Sequence, residues 1–471
     1  LELETKQVEI IAKLVAEKLA GTQGQAQLKA QSVTGQLGVF DDMNDAVAAA
    51  KQAQKELFNS SLETRRRITD AIKSELLQHV EELATIGVEE TGMGRYDDKV
   101  IKNRVAIEKT PSVEDLQSGV FTGDDGLTLL EMSPFGVIGA IAPSTNPSET
   151  VICNSIGMIA AGNAVVFGPH PGAYKTSNLA VHYINKAIKD IGGPLNLVVS
   201  VDQPTMEKAN IMMSHPDINM LCATGGPGVV KAVLSSGKKA IGAGAGNPPV
   251  LVDETADIEK AARDIIAGCS FDNNLPCIAE KEAIVVDEVA DYLIFNMKTN
   301  GAYVIEDQAT IDRLKSLVIN DKGMPNKDYI GKNADYILGK LGITVDASIR
   351  AIVMEASADH VFVQEELMMP ILPIVRVADA QAGITLACQL EHGLRHTAIC
   401  HSKNIDVLTE MGHRIQTTIF VKNGPSFAGI GVGGEGFTTF TIAGPTGEGL
   451  TSARSFTRKR RCVLVNGFNI K

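Results

Sequence analysis

Tryptophan is absent from the 471 residues, and aromatic residues make up only 4% of them. A core without large rings must be built from Ala, Val, Ile and Leu, which suits parallel sheets covered by helices. No apolar run reaches the ~20 residues a membrane-spanning helix needs, and no secretory leader is read at the start. Basic residues are the minority: 44 Lys and Arg against 56 Asp and Glu leave a net charge of −12. Only "RKRR" (Arg458–Arg461) is strongly basic, so a nucleic-acid partner, which would require a basic face, is not expected. The seven cysteines are odd in number, irregularly spaced and without a CxxC pair. That leaves neither a disulfide framework nor a zinc site and favours a reducing compartment.

The length implies two or three domains. In residues 1–20, Val8, Ile11, Val15 and Leu19 fall on one stripe among Glu and Lys, the pattern of a short amphipathic helix. Residues 21–36 are small and polar and read as a flexible linker. Such a helix cannot bury its stripe alone. It docks on its own protein, on a neighbouring subunit or on another protein. Residues 42–92 read as helical, stopped by the glycines of "ETGMG". From 135 to 236 strand and helix alternate: strands at 135–143, 164–168, 195–201 and 218–224, helices at 148–162, 175–191, 206–214 and 227–236. This is the mark of a doubly wound α/β domain, placed over 37–244. The alternation restarts after Gly246, and a second α/β domain is read over 245–430, with strands near 352–363 and 371–377. In 431–471, "GEGFTTFTIA" and "RRCVLVNGF" read as β segments leaving the body toward a partner subunit.

The one formal GxGxxG, "GVGGEG" (Gly431–Gly436), runs into a β-like stretch. It lacks the strand–turn–helix setting of a dinucleotide fingerprint. "GPTGEG" (Gly444–Gly449) lacks the Lys and Ser/Thr of a P-loop. "TGGPG" (Thr224–Gly228) ends a strand and opens a helix, where free N–H groups can face a phosphate; the alternative is a tight structural turn. Among the cysteines, Cys153, Cys222, Cys388 and Cys400 sit in apolar patterns, as buried cysteines do. Cys277 alone sits in a polar loop, "SFDNNLPCIAEK", and is the candidate nucleophile. Lys281 follows four residues later, on a stretch read as strand, a spacing that need not bring it near the sulfur. Asn146 in "STNP" ends a strand and could donate to an oxyanion, although Asn-Pro is also a common turn. His170, His396 and His401 are read as structural rather than as bases.

These motifs together resemble the aldehyde dehydrogenase superfamily. "SPFGVIGAIAPSTNP" resembles its strand presenting an oxyanion asparagine, and "AAGNAVVFGPHPG" its next strand. "TGGPG" resembles its cofactor-phosphate turn, "EELMMPILP" its glutamate segment, and the Cys277 loop its catalytic loop. "GAGAGNPPVLVDETAD", "IFVKNGPSFAGIGVGGEGFTTFTIAGPTGEG" and the N-terminal helix are similar to its CoA-acylating branch. The nearest likeness is to the propionaldehyde dehydrogenases of propanediol-utilisation microcompartments, with the acetaldehyde enzymes of ethanolamine utilisation nearly as similar.

The resemblance implies a Rossmann-type NAD-binding domain, a second α/β catalytic domain and a β oligomerisation extension that includes 121–134. It implies catalysis by Cys277 and Asn146, with NAD and coenzyme A held by Pro143, Ser144, Thr145, Thr224, Gly225, Gly226, Val229, Gly244, Glu366 and Met368, and no metal. It also implies a short-chain aldehyde substrate, a homodimer or homotetramer, and a bacterial microcompartment shell docked through residues 1–20. Two positions depart from the superfamily. Ala243 stands where hydrolytic members carry a water-activating glutamate, and Gly168 where a ribose-holding lysine is common. The first favours acyl transfer to a thiol over hydrolysis. The alternatives are a hydrolytic enzyme with its base elsewhere and a non-catalytic binding module.

Overall fold

The computed structural model describes residues 35–470. The amphipathic helix expected at 1–20 and nearly all of the linker lie outside them. The chain forms two parallel sheets. In the first, strands lie in the spatial order Val39–Phe40, Val198–Val201, Ala164–Pro169, Val137–Ala142, Met220–Thr224 and Lys239–Ala243. The strand Val137–Ala142 sits inside this sheet. Its first successors add on one side, and later ones cross to the other. Strand order therefore reverses between Val137–Ala142 and Met220–Thr224, and in open α/β sheets ligands bind at the carboxyl ends beside such a reversal. Those ends are Pro143–Asn146 and Thr224–Gly226.

Local chemistry explains the element boundaries. The strands Ala164–Pro169 and Met220–Thr224 are buried at every residue, as expected for strands covered on both faces. The helix Pro147–Ala160, which leads into the first of them, is also buried throughout, so it packs inside the domain. Asp42 caps the helix Met43–Phe58 through the N–H groups of Asn44 and Asp45. The helical stretch after residue 42 is three helices, and the last, Val80–Thr91, stops at Gly92 (φ 62°). That left-handed conformation costs glycine no Cβ clash.

The second sheet has seven parallel strands, in the order Ala302–Ile305, Ala351–Glu355, Ile371–Val377, Glu282–Val286, Pro249–Val252, Thr397–His401 and Ile419–Lys422. The strand read at 352–363 ends at Glu355, and a short helix, Val361–Gln364, follows it. A separate antiparallel sheet joins Thr457–Val465, Gly126–Pro134 and Gly119–Gly123. The expectation for "GEGFTTFTIA" is corrected. Thr438 to Ala443 are buried in the body, with only Ile442–Ala443 paired, to Gly449–Leu450. Its β-like composition serves packing there rather than an outward arm. Among the described residues no helix is long and apolar enough to cross a membrane, and no cluster of three or more metal-ligating side chains occurs.

Candidate active site

Cys277 stands on a turn just before the strand Glu282–Val286, and it is partly exposed while Cys153, Cys222, Cys269 and Cys400 are buried. Cys388 is also only half-buried, because it flanks the core stripe of Gly383, Ile384, Ala387 and Leu390 on its helix. The polar residues preceding Cys277 build the turn. Asp272, Asn273 and Asn274 all adopt left-handed backbone, at φ 47°, 55° and 66°. Asp and Asn tolerate that region better than most residues, and their side chains hold it. The Asn274 amide donates to the carbonyls of Cys269 (2.8 Å) and Glu280 (2.9 Å). The Asn273 amide donates to the Gly331 carbonyl at 2.8 Å.

The chain turns back after Cys277 instead of extending, which overturns the strand expected through Lys281. Lys281 Nζ donates to Asn274 Oδ1 at 2.6 Å and lies 3.6 Å from Glu366 Oε1. Burial, then the Glu366 carboxylate, push the Cys277 thiol up to about 12, while Lys281 and Lys102 oppose the rise. The resting sulfur is therefore protonated. Burial also raises the Glu366 carboxyl above the usual range, opposed by Lys281 and by the Gly246 N–H. Glu366→Gln is expected to speed alkylation of Cys277 by iodoacetamide roughly threefold to tenfold at neutral pH, by removing the adjacent negative charge. In both proteins the rate should rise about tenfold per pH unit, because the thiolate fraction does so below the thiol pKa. An unchanged rate would remove Glu366 from the sulfur's electrostatics.

Gly246 shows how tightly the segment entering the second domain packs on the Cys277 turn. A Cβ there would lie 2.8 Å from the Cys277 carbonyl oxygen and 2.9 Å from His396 Cγ, so only glycine fits. His396 is buried beside it with Nε2 unpartnered, and burial pushes its imidazole down to about 3. His401 is likewise buried with Nε2 unpartnered, whereas His170 is exposed and its Nδ1 accepts the Gly172 N–H at 3.0 Å.

Asn146 is buried at the N-cap of the helix Pro147–Ala160 but does not cap it. Its Oδ1 accepts from Lys102 Nζ at 2.7 Å, and its Nδ2 donates to Thr145 Oγ1 at 3.1 Å. Behind it lies a buried ionic cluster that the sequence reading missed. Lys102 Nζ is 2.7 Å from Asp272 Oδ2 and 3.0 Å from Glu149 Oε1, and Lys99 Nζ is 3.1 Å from Asp272 Oδ2. The available signal was Lys99 and Lys102, three apart on a helix whose buried face also carries Val105 and Ala106.

Around the reversal of strand order, Pro143, Ser144 and Thr145 are half-buried beside Asn146. Thr224 Oγ1 pairs with Thr441 Oγ1 at 2.7 Å, and the Gly225 N–H donates to the Ala243 carbonyl at 3.0 Å. Gly226 caps the helix Pro227–Leu234. A Cβ on Gly225 or Gly226 would meet nothing within 4 Å, so this turn faces open space and fits a dinucleotide pyrophosphate. Val229 is 37% exposed on the first turn of that helix. Gly244 follows Ala243 out of the sheet. At Gly168 a Cβ would lie 3.2 Å from Met212 Cε, so the methionine occupies the space a longer side chain would enter. Met368 has φ 53° and its carbonyl accepts the Gly331 N–H at 2.9 Å, two residues from Glu366. "GVGGEG" opens no helix, and Lys109 Nζ donates to the carbonyls of Gly431 (2.6 Å) and Gly434 (3.0 Å).

Residues 29–440 match the aldehyde dehydrogenase family. Over 471 residues the chain is 50% identical to the propanal dehydrogenase (CoA-propanoylating) of Citrobacter freundii, covering 100% of this chain and 99% of that one. A crystal structure of Rhodopseudomonas palustris propionaldehyde dehydrogenase, with bound CoA and an acylated cysteine, is 59% identical. It superposes with a TM-score of 0.91 over 92% of this chain and 99% of that one. A propionaldehyde dehydrogenase from the Clostridium phytofermentans fucose utilisation bacterial microcompartment is 56% identical, with a TM-score of 0.91 over 92% and 100%.

Proposed function

The chain belongs to the aldehyde dehydrogenase family, on its CoA-acylating branch, and we propose that it converts a short-chain aldehyde, propionaldehyde foremost, to acyl-CoA with NAD as hydride acceptor. In this reading the Cys277 thiolate attacks the aldehyde carbonyl carbon. A C–S bond forms, and the carbonyl electron pair moves to oxygen. Asn146 Nδ2 and the Cys277 backbone N–H donate to that oxyanion. When bound, the nicotinamide supplies the hydride acceptor, and Cys277 is left as a thioester. Thr224, Gly225 and Gly226 would hold the pyrophosphate, with Val229, Gly244, Pro143, Ser144 and Thr145 along the same crevice. Glu366 and Met368 would stand beside the nicotinamide ribose. The CoA thiol, having given its proton to solvent, then attacks the thioester as thiolate; its sulfur bonds to the acyl carbon, the Cys277 C–S bond breaks, and Cys277 leaves as thiolate.

The observation that most supports this reading is Cys277 itself, a partly exposed thiol on a turn held by left-handed residues. Ala243 supports a thiol as acceptor. Water, with pKa near 15.7, needs a base, whereas a thiol with pKa ~8.5 is already a few per cent ionised near pH 7. Purified protein is expected to make NADH from propionaldehyde steadily only when CoA is present, with acetaldehyde and NADP+ as comparison arms. Steady turnover without CoA, yielding free acid, would replace the acylating reading with the hydrolytic one.

Assembly belongs to the same proposal. Val120, Phe121, Val463, Leu464 and Val465 are exposed on the three-stranded sheet, which supports a homodimer or homotetramer formed through it. The apolar stripe of residues 1–20 supports docking on a microcompartment shell protein. A chain lacking residues 1–20 that still copurified with shells would remove that role.

A further inference from the structure

Lys102 is among the largest fully buried side chains of the described residues, and it is the charged one among them. An ammonium has three hydrogens and no acceptor, and this one faces three close acceptors on two segments, with the Thr145 carbonyl farther off at 3.4 Å. The close three are Asp272 Oδ2 at 2.7 Å, Glu149 Oε1 at 3.0 Å and Asn146 Oδ1 at 2.7 Å. The contact with Asn146 settles which way its amide points. Nothing but oxygen can face an ammonium at that distance, because the flipped amide would set NH2 against NH3+. The amide nitrogen must therefore point away from Lys102, one hydrogen going to Thr145 Oγ1 at 3.1 Å. Asn is a preferred N-cap residue because its oxygen can accept helix N–H groups. Here that oxygen is committed to Lys102, and the helix receives no side-chain cap. A cation on the amide oxygen also draws electron density from the nitrogen, making its remaining N–H a stronger donor.

We propose that Lys102 is a positioning residue for the reaction: it fixes and polarises the Asn146 amide so that Nδ2 stabilises the oxyanion formed on Cys277. Asp272 and Glu149 hold the ammonium in turn, and Asp272 belongs to the same turn that carries Cys277. One ionic cluster thereby registers the nucleophile's turn against the oxyanion donor across the two domains. The inference rests on the acylating reading given above.

The test is a double-mutant cycle on thioester exchange between propionyl-CoA and isotopically labelled CoA. That exchange needs no nucleotide. The Cys277 sulfur bonds to the acyl carbon, CoA leaves as thiolate, and labelled CoA reverses the step. Asn146→Ala should lower kcat by about 10²–10³-fold with little change in KM. Lys102→Met should lower kcat roughly tenfold or more in the wild-type background and less than about twofold in Asn146→Ala, because residues acting through one another are not additive. An equal loss in both backgrounds would overturn the proposal, since a general structural defect is additive. Should Lys102→Met fail to fold, Asn146→Asp decides instead. Its carboxylate pairs with Lys102 but offers no N–H, so it should melt no lower than Asn146→Ala and show the same loss of exchange. A lower melting temperature, or retained exchange, would overturn the role given to Lys102. Absence of exchange in the wild-type protein would sink the acylating reading and this inference together, whereas additivity with an active wild type sinks the inference alone.

Discussion

Cys277→Ala is expected to reduce NADH formation from propionaldehyde and CoA by at least about 10⁴-fold, the scale on which removal of a covalent nucleophile acts. Melting temperature should be nearly unchanged. The substitution deletes one partly exposed sulfur and leaves the backbone of the turn, with its Asn273 and Asn274 hydrogen bonds, in place. The other accessible thiols, Cys388 and Cys462, lie on the helix Ala380–Leu390 and on the three-stranded sheet rather than on this turn. Burial pushes Cys153, Cys222, Cys269 and Cys400 up to about 12 as it does Cys277, so acidity does not single out the nucleophile. Access and position do: Cys277 is partly exposed, on the turn that the Asp272–Lys102–Asn146 contacts hold against the oxyanion donor. Incubation with propionyl-CoA followed by intact mass measurement provides the check. Wild type should gain one propionyl group, and Cys277→Ala none. A persisting adduct, or persisting NADH formation, would move the nucleophile elsewhere. Without the sulfur the aldehyde carbon is left with water, which no carboxylate at Ala243 activates, and with the CoA thiol, which the covalent route positions for the acyl-enzyme rather than for the aldehyde.

The fold was legible where one physical signal dominated. Buried parallel strands write themselves as unbroken apolar runs, and the strands Ala164–Pro169 and Ile371–Val377 follow theirs almost residue for residue. The alternation of such runs with helices also marked the strand ends that border the crevice, whereas the reversal of strand order is seen only in the sheet itself. Legibility failed where composition and environment part company. "GEGFTTFTIA" is rich in Thr and Phe, residues that favour strands. In the body its hydroxyls pair instead with other hydroxyls, Thr439 with Thr451 at 3.0 Å and Thr441 with Thr224 at 2.7 Å, so little of it enters a ladder. At the site, Cys277 could be found because a cysteine among polar neighbours is unusual. Lys281 could not be placed, because the left-handed run that bends the chain depends on partners as distant as Gly331. Lys102, Glu149 and Asp272 stayed hidden for a general reason. A charged residue read alone is assigned to solvent, and only the fold shows that, together with Lys99, two ammoniums and two carboxylates neutralise one another.

That neutralisation makes Asp272→Asn the substitution with the largest expected cost in stability, about 3–5 kcal/mol, the range for removing one partner of a buried ion pair. Asparagine matches the size of aspartate and tolerates its left-handed backbone, φ 47°. It also keeps an oxygen for the Arg95 N–H, now accepted at 2.7 Å. What it loses is the negative charge between two buried ammoniums, Lys99 at 3.1 Å and Lys102 at 2.7 Å. Asp272→Ala should be worse by roughly 1–2 kcal/mol, because alanine adds the penalty of left-handed backbone. The midpoint of urea unfolding measures both. Its pH dependence identifies the cause. Burial first, and the like charge of Lys102 with it, already lower the Lys99 pKa against the pull of Asp272; without that carboxylate it falls further below its unfolded value. A lysine with a depressed native pKa binds fewer protons folded than unfolded, so stability rises with pH between the two values. The gap between wild type and Asp272→Asn should therefore narrow as pH rises toward ~10. A gap under about 1 kcal/mol at neutral pH, or one indifferent to pH, would mean that Lys99 and Lys102 do not depend on Asp272 for their charge. The cluster would then be a set of hydrogen bonds rather than the ionic joint between the two domains.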